Sequence, residues 1–471
     1  MVRVNQSLND LSKSISSLVG EKYTKVFVIF CILVVFLIPD TMINYVSDFI
    51  YTQLITTLGI IFFIVIAIVY ILGQYFTLRF VKDQSKGIRA RHLFIRVIHN
   101  ATTVIQYTLV ASLIFIILEI LLTSHYHTAT ITAVTGISEI STTCILSLFA
   151  QRFFSWFNSN RKSIVVLLYG LSFVISAFSV TLISLNHLSI LSQKQISSEY
   201  TIITPQSKVV FPSDSFKKSG SFLADLFKTY QYTALVSFAL LMAATAILLH
   251  HYSRKLGRVK FWIIILLPML YRLGASLENF GIITPATHEQ YFYWYLYASL
   301  NSTAGGILFG IAFLSIAKTI RQDSAVRQYM IIAAYGFILM FISNQVTLTA
   351  TSYPPYGIAT ISLLVLASYM IFVGLYSTAL STSQDMKLRQ HIRRLTTKDT
   401  SLLNSIGTAQ MEQEVQRTVK GFENIIEQQE KEMKEQSGVE SSISQEDVHE
   451  YLQQVVEEVS KVKKNNKKDG A

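Results

Sequence analysis

Long apolar runs separated by short polar and basic stretches fill the first 384 positions of the chain. They lie near residues 23 to 45, 51 to 78, 101 to 123, 129 to 151, 163 to 191, 230 to 252, 261 to 281, 291 to 318, 328 to 350 and 357 to 381. About 20 apolar residues cross a bilayer core, so the pattern predicts about ten transmembrane helices, several long enough to tilt. The first and seventh are the weakest. The run from Val26 to Ile38 is short and meets Pro39 and Asp40, and the seventh contains Pro268 and Arg272 with Glu278 beyond. Ahead of the bundle, over residues 1 to 22, Val4, Leu8, Leu11, Ile15 and Leu18 recur every three or four positions. This describes a short amphipathic helix for the inner leaflet or the tail. The outer loop from 192 to 229 carries Pro205, Pro212, Gly220 and many Ser. Within it Tyr200 to Ile203 and Val209 to Phe211 suggest a small hairpin, too short for an independent domain.

From residue 385 to 471 the pattern changes. Lys387, Arg389, Arg393, Arg394 and Lys398 leave the last span as a basic collar suited to anionic head groups. Met411, Val415, Val419, Phe422 and Ile426 then form a helical stripe among Glu, Gln and Lys. A linker at 437 to 444 precedes a capping-box pattern, Ser444 with Asp447, and a second stripe of Val448, Leu452, Val455, Val459 and Val462. Each stripe is too narrow to be a core. The two helices must pack on each other, on the inner loops of the membrane domain, or on another subunit. The end, Lys461 to Lys468, is a basic extremity without apolar pattern.

Composition agrees with the hydropathy pattern. In 471 residues hydrophobic side chains make up 51% and charged ones 15%, against roughly 25% charged in a soluble domain. The net charge is +11, but residues 385 to 471 hold 14 Lys/Arg and 16 Asp/Glu, which leaves +13 on the membrane part. That excess is broken into four clusters between spans: Arg79 to Arg96, Arg152 to Lys162, Arg254 to Lys260, and Lys318 to Arg327. With a cytoplasmic N-terminus all four face inward, as the positive-inside rule requires, and both termini are then cytoplasmic. The outer loops around Ser47, His125 and Pro354 have no Lys or Arg, and the long outer loop, with five Lys and three acids, is of a length that escapes the rule. Such dispersed charge argues against nucleic acid. Cys31 and Cys144 lie in apolar stretches with no disulfide framework or zinc spacing. The first 21 residues lack the apolar core of a cleaved signal peptide.

Ionisable groups inside a bilayer are costly, which makes their positions informative. The fourth span carries Glu139 with Thr128, Thr132, Thr135 and Thr142, at spacings of four, three, four and three that share one helical face. Glu139 lies roughly 15 Å from the outer end by the helical rise, and Arg272 roughly 16 Å from the inner end of the seventh span. These depths allow the two to meet. Glu119, Glu278, Asn301, Asn344 and Gln345 also fall in the outer half. Two readings follow: an outward-opening polar pocket for a small ligand or ion, or a set of inter-helix clamps in which Glu139 pairs with Arg272 and the Thr hydroxyls bond back to their own helix. His125, His127, His250 and His251 fall at span ends, where solvated interfacial roles outweigh metal binding. The aromatic run Tyr291 to Tyr297 reads as an interfacial belt before it reads as a cation cage. Gly306 and Gly310, preceded by Gly305, permit close helix contact, and a ten-helix protein has many internal interfaces that need such residues.

No phosphate-binding loop, HExxH or GxSxG motif occurs. His391 lacks the acidic neighbour of a phosphoacceptor, and the tail is too short for a kinase module. No enzymatic activity, cofactor or metal is expected. The motifs Tyr353-Pro354-Pro355-Tyr356-Gly357, and Leu403-Asn404-Ser405-Ile406-Gly407-Thr408-Ala409-Gln410-Met411-Glu412-Gln413-Glu414 in the tail, resemble an uncharacterised family of archaeal multi-spanning membrane proteins. The resemblance, which extends to the basic loop Arg254 to Lys260, implies a cytoplasmic membrane location and brings no activity or functional residues.

The expectation is an all-α polytopic membrane protein of the cell membrane. A receptor-like or signalling role would couple the outer-half polar residues to the cytoplasmic helical tail, which would meet a second copy or a cytoplasmic protein. The alternative is a secondary transporter or channel that uses Glu139 and Arg272. Two inverted five-helix halves would fit the long central outer loop. The sixth span, however, has no Gly or Pro to break it.

Overall fold

The computed structural model describes residues 24–46, 53–159, 161, 163–196, 202–203, 222–250, 257–277, 297, 303–320, 324–343, 353–384, 402–403 and 405–417. Backbone polar groups in hydrocarbon must be satisfied within their own segment, and these residues are accordingly almost all helical. The long helices are α1 (Thr24–Val46), α2 (Gln53–Gln84), α4 (Leu93–Thr123), α5 (Thr128–Ser159), α6 (Ile164–Ile196), α7 (Phe222–Leu249), α8 (Arg258–Ser276), α9 (Thr303–Thr319), α10 (Ala325–Ser343) and α12 (Leu364–Gln384). Two short ones, α3 (Lys86–Arg91) and α11 (Ile358–Ser362), stand before α4 and α12. Seven of the helices, counting α11 and α12 as one, are long and apolar enough to cross a bilayer. The protein is an all-α, multi-pass membrane protein. The three helices outside that set are α1, whose apolar part is Val28–Asp40, α9, and α8, which carries Arg258, Lys260 and Arg272.

Several helices begin or end well outside the apolar runs. The chain turns helical at Leu93 rather than near 101, and at Phe222 rather than near 230. At the first of these sites the basic residues explain the extension. The Arg89 guanidinium donates to Lys82 O at 2.6 Å, and Arg96 donates to Arg89 O at 3.2 Å and Ala90 O at 3.0 Å. Cationic side chains thus take up the free carbonyls where α2 and α3 end. Between the helices, Ile202–Ile203 forms a strand whose partner is Tyr126–His127 in antiparallel register. The expected hairpin partner, 209 to 211, lies outside the described residues, and the pairing instead ties the long loop to the turn before α5.

Helix α12 is the centre of the bundle. Every residue from Ile358 to Ser383 except Ser381 is buried, with α2, α4, α5 and α10 packed around α12. Helices α5, α6 and α7 follow one another side by side, as do α9 and α10. Backbones come closest between α10 and α12. A Cβ on Gly374 would stand 2.6 Å from Tyr329 O and 2.7 Å from Ala333 N, and one on Gly336 would stand 2.8 Å from Ile371 N. Gly306 and Gly310 serve an internal interface of the same kind, with Cβ positions 2.6 Å from Phe341 Cβ and 2.5 Å from Ile338 Cγ1 on α10. Hydrophobic side chains on α2, α4 and α8 point outward; Leu72, Leu122 and Leu267 are among the exposed ones. The hydrocarbon of the bilayer is their natural surrounding.

Candidate functional site

The threonine face of α5 turns into the bundle. Thr128, Thr135, Glu139 and Thr142 are buried and Thr132 is half-buried. Only part of the expected clamp pattern forms. Thr132 Oγ1 donates back to Thr128 O at 2.9 Å, but Thr135 Oγ1 and Thr142 Oγ1 have no hydrogen-bond partner among the described residues.

Glu139 does not meet Arg272. Its Oε1 lies 2.7 Å from Nδ1 of His187 on α6, and the two side chains are only 2% and 3% exposed. Arg272 sits on α8, its guanidinium 5.9 Å from the Phe238 ring on α7. The physical reason is lateral: α5, α6, α7 and α8 pack in sequence order, so α6 and α7 separate the two residues although their depths match. With a proton on Nδ1 the contact is a hydrogen bond to the carboxyl oxygen, and Nε2 points away from Glu139. Glu139 Oε2 and His187 Nε2 are both buried without a partner among the described residues. In hydrocarbon such groups call for water or a ligand.

A second polar layer surrounds the start of α12. Gly357, with φ of 90°, opens α11, and Asp40 on α1 receives its first N–H groups. Gly357 N donates to Oδ1 at 3.0 Å, while Thr360 N and Thr360 Oγ1 donate to Oδ2 at 3.2 and 2.6 Å. A carboxylate at a helix N-terminus, fully buried and triply bonded, satisfies both partners. At the junction of α11 and α12, two carbonyls take donors from neighbouring helices. Ser138 Oγ on α5 donates to Ile361 O at 2.6 Å, and Gln106 Nε2 on α4 donates to Ser362 O at 3.0 Å. One turn further in from Val365, His99 Nδ1 and the Tyr369 hydroxyl lie 2.7 Å apart. Ser138 precedes Glu139 on α5, so the junction and the Glu139–His187 pair meet that helix at the same depth.

At the turn between α4 and α5, Glu119 Oε1 pairs with His127 Nδ1 at 2.7 Å, His127 being half exposed, and His125 Nδ1 contacts Thr123 O at 2.7 Å. Among the described residues no group of three ligating side chains is placed to hold a metal ion. Asn301, Asn344, Gln345 and Glu278 lie outside the described residues.

The opposite end of α5 holds the tail. Trp156 Nε1 donates to Gln410 Oε1 at 2.9 Å, and Gln413 Nε2 donates to Ser155 Oγ at 2.8 Å and Ser159 Oγ at 3.2 Å. The same helical segment, 405–417, reaches α12, where Ser383 Oγ donates to Glu414 Oε1 at 3.4 Å. Leu402 and Leu403, with Ile406 and Ala409 of the segment itself, are buried. Gly407 is required there, since a Cβ would stand 2.5 Å from Thr382 Cγ2. The docking face is therefore Ile406, Gln410 and Gln413, at helical spacing. Met411 and Val415, the expected contact stripe, are half-buried on its flank. Phe422, Val448, Leu452, Val455 and Val459 lie outside the described residues.

The sequence expectation omitted His187 and read Asp40 only as the end of a span. The signals were present: Asn186-His187 interrupts an apolar run, and an Asp directly after Pro39 inside a hydrophobic helix needs a partner. Comparison with known protein families, with curated proteins and with solved structures returns no match.

Proposed function

We propose that this is a receptor-like signalling protein of the cell membrane, with ten spans and both termini cytoplasmic, and that it has no catalytic role. The observation that carries the proposal is that one rigid helix, α5, bears the incompletely satisfied Glu139–His187 pair in its outer part and the tail dock at Ser155, Trp156 and Ser159. The two sites are 17 residues apart, about 26 Å along the helix axis. The central helix α12 runs the same way, from the polar junction to Thr382 and Ser383 under the tail. A ligand that completes the bonding of Glu139 and His187 would shift α5 against α12, and the tail segment lies across both. Released or reseated, the tail would present its remaining surface to a second copy or a cytoplasmic protein. A population shift of this kind requires the ligand to favour one of two packings.

A transporter is the second reading. It is favoured by the division of the central helix into α11 and α12, with side-chain donors on carbonyls at the junction. Against it, α7, the helix that an inverted repeat would also break, is continuous from Phe222 to Leu249. Proteoliposomes with an entrapped pH-sensitive dye separate the two for the simplest cargo of a Glu–His pair, the proton. The receptor reading expects no protein-dependent flux under an imposed pH gradient, whereas flux abolished by Glu139→Gln would establish the transporter.

Orientation has its own test. Gly87 is open, with nothing within 4 Å of a Cβ, and Lys228 is exposed, so cysteines there leave the packing intact. Ser85 is buried and unsuitable. In a background lacking Cys31 and Cys144, an impermeant thiol reagent added to intact cells should label Lys228→Cys and spare Gly87→Cys. The reverse pattern would invert the topology.

A further inference from the structure

We propose that the groove between α7 and α8 is a binding site for an anionic phospholipid, with an acyl chain along the groove and the phosphate at Arg258, Lys260 and His250. The groove encloses a cavity of about 550 Å³. Its α7 wall is hollowed by Ala239, Ala243 and Ala246, and its α8 wall is built from Trp262, Leu266 and Met269. These positions recur at helical spacing on both helices, so the groove follows the helix axes. From Ala239 to His250 it runs eleven residues, about 16 Å, a length that suits a hydrocarbon chain rather than a compact solute.

Three observations identify the occupant. First, the lining is apolar except at one end, where His250 stands. Second, the His250 ring lies 6.0 Å from that of Phe261, which brings the end of α7 beside the first turn of α8. That turn contains Arg258 and Lys260, both exposed, and no acidic residue. Arg258 lies one turn before Trp262 on the groove face of α8, where it complements a phosphate and its aliphatic stem extends the apolar wall, while Lys260 adds positive charge at the same end. Third, the groove opens laterally to where lipid would be. Ala243, Ile247, Trp262 and Leu266 are exposed on its flanks, and Val259, Ile263 and Leu267 on the other side of α8 are more than half exposed. Helix α8 therefore stands in hydrocarbon with lipid access on both sides. The proposal is independent of the receptor reading, because none of these residues belongs to the Glu139 site.

The test uses the full chain, purified in a neutral detergent and mixed with equimolar phosphatidylglycerol and phosphatidylcholine of identical chains, with retained lipid counted by native mass spectrometry. Two basic groups at about 1 kcal/mol each predict a preference for phosphatidylglycerol of about thirtyfold. Arg258→Gln with Lys260→Gln should bring the two lipids close to equal retention. Ala243→Trp, which fills the groove from an exposed position, should lower retention of both, and Ile247→Trp provides an independent filler should the first alter the unfolding temperature. Equal retention by the unmodified protein would overturn the proposal. So would a preference that survives both fillers, since that is surface charge alone, or no retention at all, since another part of the chain then covers the groove.

Discussion

Asp40→Ala should destabilise the protein by about 3–5 kcal/mol, because three buried donors lose their shared acceptor. The carboxylate is fully buried and receives Gly357 N, Thr360 N and Thr360 Oγ1. Alanine leaves all three donors in a low-dielectric interior, at about 1–3 kcal/mol for each unsatisfied group before relaxation. Asn is an instructive intermediate. It keeps one acceptor oxygen but turns an amide donor toward N–H groups that also donate, so Asp40→Asn should fall between the unmodified protein and Asp40→Ala. Denaturant-titrated unfolding in detergent micelles measures this. A loss below about 1 kcal/mol for alanine would remove Asp40 from the account of how α11 is held.

The second large effect belongs to Glu139 and His187. Each alanine substitution alone should cost about 1–3 kcal/mol, because it leaves the other buried group without its hydrogen-bond partner. The double variant should cost clearly less than the sum, with a coupling of at least about 1 kcal/mol. Glu139→Ala combined with Arg272→Ala should instead be additive to within about 0.5 kcal/mol, since two helices lie between them. Additivity in the first cycle and coupling in the second would mean that Glu139 is paired as its depth alone suggested, and the packing order from α5 to α8 would be wrong.

That contrast shows what could be read from the chain. The helices were legible because hydrocarbon forces every segment to satisfy its own backbone, and the apolar runs mark where this happens. The polar face of α5 was legible too, because spacings of three and four fix a direction around one helix. Depth followed from the rise per residue. Neighbourhood did not. Which helix stands beside α5 depends on side-to-side packing among ten apolar surfaces of similar composition, and no periodicity encodes it. Hence Glu139 was matched to Arg272 at the same depth instead of His187 on the adjacent helix. Asp40 was missed for a related reason, since its partners are backbone N–H groups more than 300 residues away. In the tail, the apolar stripe through Met411 and Val415 drew attention from the neighbouring face. There Gln410 and Gln413, polar residues that a hydropathy pattern assigns to solvent, make the contacts with α5.

If the Glu139–His187 pair and the tail dock form one coupled system, backbone hydrogen exchange of residues 405–417 must respond to Glu139→Gln. That variant is isosteric and lies about 26 Å along α5 from the dock, so it touches no tail contact itself. Amide exchange in 405–417 should accelerate by about tenfold relative to the unmodified protein, the effect of a coupling near 1.4 kcal/mol. Unchanged exchange in 405–417, with altered exchange confined to α5 and α6 around residues 139 and 187, would contradict it.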